Sequence, residues 1–206
     1  MGMALNLLYR GSFAAADKVF REVAVEAQPL GLIDQMSEAL QGMSSVAFMR
    51  KDYRASIKVC TQSIIYQSRP LAKSRQLVNL GAALVGCGDH DAARKILIPL
   101  REETGEEISR QRILINLLEM AAKERDKRAF ECYREELHGK LSLPELQVHY
   151  HLYLGKGYHG FWRPAAAMEE RQIALAIATE HGLHQLRTFV LGEMGQPVCG
   201  ERCHDN

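Results

Sequence analysis

The sequence predicts an all-α fold of about five helical hairpins plus a closing C-terminal helix. Three observations carry this: a pattern recurring every 37 residues, no two-residue apolar alternation lasting six residues, and Gly/Pro punctuation at hairpin spacing. Ser74-Arg75-Gln76-Leu77-Val78-Asn79-Leu80 aligns with Gln111-Arg112-Ile113-Leu114-Ile115-Asn116-Leu117, matching Arg, Leu, Asn and Leu at the same offsets. Steps of 37 residues either way reach Ser37–Ser44 and Val148–Gly155, which puts four first helices in one register.

Second helices repeat as well. A small or polar turn followed by Ala opens apolar faces at i, i+4, i+7: Ala16, Phe20 and Val23; Ser56, Cys60 and Ser63; Ala93, Leu97 and Leu100. The expected hairpins pair Met3–Tyr9 with Phe13–Gln28, Leu32–Met49 with Tyr53–Tyr66, Leu71–Val85 with His90–Arg101, Glu107–Ala122 with Lys127–Leu137, and Leu146–Gly157 with Arg163–Glu180. Leu183–Leu191 closes the stack. Pro29-Leu30-Gly31, Pro70, Gly86-Cys87-Gly88, Gly105, Ser142-Leu143-Pro144 and Gly182 read as connections, and Pro164 as a first-turn residue. The repeat domain then covers residues 1–191, and 192–206 form a flexible tail.

Composition narrows the function. The 206 residues are 47% hydrophobic and 25% charged, so a core forms. Twenty-six basic against 25 acidic residues lack the excess positive charge of a dedicated nucleic-acid binder. The longest uncharged run, Gln76–Gly88, has 13 residues, short of the roughly 20 needed to span a bilayer. Five cysteines at irregular spacing, with no export signal, read as reduced thiols of a cytoplasmic protein.

First helices with apolar residues at repeat positions four, seven and eleven and a small residue at eight resemble the tetratricopeptide repeat. The third repeat fits best through Leu77, Leu80, Gly81, Leu84, Gly88, His90, Ala93 and Leu97. The fifth supplies Leu154, Gly155, Tyr158 and Ala167, and the second Leu40, Ser44, Tyr53 and Ser56. The fourth departs, with Leu118 and Phe130 at small positions and Arg134 on the apolar face. The period exceeds the usual length of about 34. In this the chain is similar to the longer-helix repeats in sensor regions of bacterial transcription regulators, and Leu175–Leu183 is similar to the helix endings of that group.

The resemblance implies a right-handed α-solenoid whose concave groove, lined by first helices, grips a protein or peptide. On that template position two runs Glu38, Arg75, Arg112, His149 and position six Gly42, Asn79, Asn116, Tyr153. The expected partner-binding residues are Arg75, Asn79, Arg112, Asn116, His149, Tyr153, Lys156 and His159. Arg forks carboxylates and Asn pairs with a peptide backbone, so an acidic segment suits this ladder. Position nine holds Ser45, Ala82, Glu119 and Lys156, so the family's carboxylate clamp for chaperone tails is absent.

His149–Trp162 holds five of the 14 aromatics, which suits either packing or an interface. Cys199, Cys203 and His204 resemble a partial zinc or haem-attachment set on the tail, and a frayed terminus is the simpler reading. No phosphate loop, nucleophile elbow or HExxH is present, and pairs such as Glu106-Glu107 read as solvated charge. The expected function is a non-catalytic module without metal or cofactor, sensing a protein or peptide within a bacterial regulator, not binding nucleic acid or membrane, with its oligomeric state open. A free-standing adaptor is the alternative. Because the first repeat begins near its fifth position, the sensor reading expects a helix-turn-helix encoded upstream.

Overall fold

The computed structural model describes residues 2–67 and 69–195, and among these the chain is eleven α-helices with no strand. It forms two compact units, Met1–Met120 and Ala121–Asn206. The N-terminal unit holds α1 (Gly2–Tyr9), α2 (Phe13–Ala27), α3 (Ile33–Met49), α4 (Tyr53–Tyr66), α5 (Pro70–Cys87), α6 (His90–Glu103) and most of α7 (Glu107–Glu124). The C-terminal unit holds α8 (Lys127–Leu137), α9 (Pro144–Gly160), α10 (Pro164–Glu180) and α11 (His184–Glu193). Consecutive helices pack together from α1 to α6 and from α9 to α11, and α1 also meets α3 as α9 meets α11.

Every hairpin turns on the same device. A left-handed residue closes the first helix: Gly11 (φ +78°), Lys51 (+60°), Gly88 (+87°), Arg125 (+57°) and Trp162 (+59°). The following N–H reaches five residues back, from Ser12 to Leu7, Asp52 to Ala47, Asp89 to Leu84, Asp126 to Ala121 and Arg163 to Tyr158, at 2.8–3.0 Å. These bonds satisfy carbonyls that the helix end would orphan. Lys51, Arg125 and Trp162 carry left-handed strain of about 1–2 kcal/mol each, which glycine avoids. Asp52, Asp89 and Asp126, 37 residues apart, then cap the second helix by accepting the N–H of Ala55, Ala92 and Ala129 at 3.0–3.2 Å.

The structure corrects two readings of the punctuation. Gly86 and Cys87 lie inside α5, leaving Gly88 alone as its cap. Gly86 is required for another reason: an added Cβ would sit 2.5 Å from the Tyr53 ring. Pro70 and Pro144 do not separate helices but begin α5 and α9, as Pro164 begins α10, where a missing N–H costs nothing.

Packing follows the register. Ser56, Ala93, Phe130 and Ala167 are buried at 37-residue steps, as are Ser63, Leu100, Leu137 and Ala174. Against these stripes the first helices present small residues. A Cβ on Gly81 would fall 2.3 Å from Leu97, and one on Gly155 would fall 3.0 Å from the Ala167 carbonyl. Between hairpins, a Cβ on Gly42 or Gly157 would fall 2.2 Å from the ring of Phe20 or Phe130, so each glycine leaves room for a phenylalanine. The helix α11 keeps the register, with Gly192 37 residues after Gly155, so it reads as a further first helix.

The hairpin of α3 and α4 has a polar interior. Ser44 Oγ lies 3.0 Å from Ser56 Oγ and 2.8 Å from Cys60 Sγ, and Ser37 Oγ lies 3.3 Å from Ser63 Oγ. Gln67 Nε2 donates to Ser37 Oγ. Burial pushes the Cys60 thiol up, keeping it protonated. Arg134, unexpected on an apolar face, donates from Nη1 to the Tyr158 hydroxyl at 3.2 Å. No helix of the described residues is long and apolar enough to cross a membrane.

The crossing at Gly81 gives a test of sign. Alanine raises helix propensity by about 1 kcal/mol, but Leu97 is fully buried and cannot move aside. Gly81→Ala is expected to lower urea-unfolding stability by about 1–2 kcal/mol net, and to become neutral or favourable in a Leu97→Ala background. A stabilised single variant would place the crossing elsewhere.

Candidate functional site

In the N-terminal unit the arginine ladder already holds a carboxylate. Arg75 projects from the first turns of α5, and Glu106 caps the start of α7, with its carbonyl accepting the Arg110 N–H at 3.0 Å. Arg75 forks the Glu106 carboxylate, donating from Nε to Oε2 at 3.2 Å and from Nη2 to Oε1. Ser109, one turn into α7 and buried, donates its hydroxyl to the same Oε2 at 2.5 Å. Thr104 Oγ1 fixes the backbone by accepting the Glu106 N–H at 3.3 Å. The exposed Arg112 adds attraction through space and makes no ion pair among the described residues. Glu106 is therefore not ordinary solvated charge, and this corrects the sequence reading.

The Arg75 hydrogen bond, foremost, and then Ser109 hold the Glu106 carboxyl at about 2, against an ordinary 4.5. Because the folded value is depressed, this arrangement stabilises the fold fully above the ordinary glutamate range and loses that contribution as pH falls from about 4.5 toward 2. The side chain of Arg75 is 54% exposed, so solvent screens the pair and its net worth is small.

The asparagines behave differently from each other. Asn79 is half-buried one turn beyond Arg75, whereas Asn116 is only 9% exposed among Ile113, Leu114 and Leu117. A ligand meeting Arg112 therefore meets less of Asn116 than the shared helix face implied. One repeat earlier the charges are exchanged: Arg69 Nη2 lies 3.2 Å from Asp34 Oδ1, and position two is the exposed Glu38. The cationic stretch thus begins at Arg75.

In the C-terminal unit, α11 covers part of the expected binding face. Lys156 Nζ sits 3.5 Å from Glu193 Oε2, 5.5 Å from the Tyr153 ring centroid and 5.6 Å from that of Phe189. Tyr153 is buried, with His149 stacked on it at 5.9 Å. His159 is exposed. Sequence reasoning missed Glu193 and Phe189, yet each follows α9 by one repeat: 37 residues separate Glu193 from Lys156 and Phe189 from Leu152. Glu106 and Ser109 had a weaker signal, an acidic cap followed three residues later by serine ahead of an Arg-bearing helix.

The aromatic run is largely packing. Tyr150 and Tyr158 are buried, Phe161 meets Phe130 edge-on at 5.2 Å, and Arg163 lies over Tyr158 at 4.8 Å. Burial first, and the nearby Glu170 charge second, push the Tyr150 hydroxyl up to about 12. His151 Nδ1 lies 2.6 Å from Glu170 Oε2, a half-buried pair linking α9 to α10. Trp162 is the exception, 86% exposed on its left-handed turn. A separate cleft of about 640 Å³, lined by Leu32, Ile33, Ile65, Tyr66 and Gln67, contains none of the expected binding residues. Among the described residues no group of three or more His, Cys, Asp or Glu could hold a metal ion, and Cys199, Cys203 and His204 lie outside them.

A carboxyl-detected NMR titration checks the ladder. Glu106 is expected to titrate near 2 in the wild type and to return toward the ordinary 4.5 in Arg75→Gln. An unchanged midpoint would remove Arg75 as the cause. No protein-family model and no curated protein matches this chain.

Proposed function

We propose that the chain is a non-catalytic, tetratricopeptide-like binding module, a right-handed α-solenoid by family resemblance, acting in the cytoplasm. Its ligand is an acidic segment of a protein or peptide, and its role is the partner-sensing region of a bacterial regulatory protein. The observation that carries this reading is the fork of Arg75 on a carboxylate with Arg112 close enough to add attraction. The 37-residue recurrence of turn, cap and close crossing supports the repeat architecture.

Recognition works through ordinary chemistry. Guanidinium groups fix carboxylates bidentately, and the half-buried Asn79 amide, one turn along, offers both a donor and an acceptor to a peptide backbone. The ladder is exposed, so its affinity falls with salt. Lys156 contributes less than its position suggests, since Glu193 already neutralises it.

The test uses a fluorescein-labelled deca-glutamate peptide in polarisation at low ionic strength. Arg75→Gln/Arg112→Gln should reduce binding by about tenfold or more while leaving the helical circular dichroism unchanged. Glutamine is chosen because a new acid at position 75 would repel Glu106. Equal binding by wild type and double variant would refute the ladder as the site.

A further inference from the structure

We infer that Glu106 is an internal stand-in for the ligand carboxylate, so that an acidic segment binds the N-terminal unit by displacing Glu106 from Arg75. This inference rests on the acidic-segment reading above and adds how that site is regulated. Three features of the contact point to it.

The first is geometry. Glu106 meets Arg75 through both carboxylate oxygens, the arrangement by which a guanidinium recognises an aspartate or glutamate of another chain. The second is exposure. Arg75 stays about half-exposed while paired, so an incoming carboxylate can approach its open side and exchange for Glu106 without the core opening. The third is what remains after exchange. Glu106 keeps its Ser109 hydroxyl bond and its backbone bonds to Thr104 and Arg110, so the start of α7 stays capped when Arg75 is lost to the ligand. Arg112, which lacks an ion pair among the described residues, gives the ligand a first cation to land on.

The consequence is competition inside one molecule. A tethered carboxylate taxes the affinity of any ligand by the fraction of time it occupies Arg75. A lone acidic side chain therefore competes poorly, whereas a segment with several carboxylates engages Arg112 and Arg75 together. The site selects for acidic runs over single charges.

The experiment compares wild type, Glu106→Gln, Arg75→Gln/Glu106→Gln and Glu107→Gln with labelled deca-glutamate. The last variant removes an equal charge next door, from a carboxylate turned toward Gln111. Glu106→Gln is expected to bind about three- to tenfold tighter than wild type, with the gain lost in the double variant and absent in Glu107→Gln. A gain shared by Glu107→Gln, or kept without Arg75, would reduce the effect to net charge and overturn the inference. Binding that depends on Arg75 and Arg112 but is not tightened by Glu106→Gln would overturn it while leaving the acidic-segment reading intact. Absence of binding by both wild type and Glu106→Gln would overturn both. Should Glu106→Gln lose its helical circular dichroism, Ser109→Ala loosens the same carboxylate and is expected to give a smaller gain, and no gain there counts against the inference.

Discussion

The close crossing of two helices within the α3–α4, α5–α6 and α9–α10 hairpins is the constraint on which the rest of the chain depends. It demands a small residue at one point of the first helix, met by Ser44, Gly81 and Gly155. Opposite stands a side chain that fills the gap: Cys60, Leu97 and Arg171. Once the axes approach this closely, the connecting turn has room for little more than one left-handed residue and a cap. The same φ near +60° to +90° recurs at Lys51, Gly88 and Trp162 in these hairpins, and at Gly11 and Arg125 in the two that lack the small residue. Lysine, arginine and tryptophan carry that strain, and the bonds that close their turns, from Asp52 to Ala47, Asp126 to Ala121 and Arg163 to Tyr158, offset it.

Charge is placed by the same register. Position two of successive first helices faces away from the crossing, so its side chain costs the core nothing and is free to change from Glu38 to Arg75 to Arg112. The loop before α7 brings Glu106 back beside Arg75, and the register of α11 brings Glu193 back to Lys156. Cations that read as available in a linear pattern are thus met by acids from the next turn of the repeat. Arg112 escapes this pairing.

Helix positions were legible because each boundary has a local cause. Asp52, Asp89 and Asp126 are caps wherever they occur, and apolar spacing marks buried faces without knowledge of neighbours. Prolines were less legible: Pro70 and Pro144 interrupt a helix or begin one according to whether the preceding residue is extended, as Arg69 and Leu143 are. The candidate site was legible only in its cations. What neutralises Arg75 lies 31 residues away, and the burial of the polar Asn116 depends on its neighbours in the fold; the helical period marks apolar faces and specifies neither of these.

The α3–α4 hairpin differs from its neighbours in what fills it. Where the α5–α6 hairpin buries Leu97 and Leu100, this hairpin sets Ser37, Ser44, Ser56, Ser63 and Cys60 against one another. Hydroxyl pairs are directional and nearly balanced against water, each worth about 1 kcal/mol net, whereas apolar burial is lost outright on opening. The α3–α4 hairpin therefore holds together by paired hydroxyls at the positions where the α5–α6 hairpin relies on apolar burial.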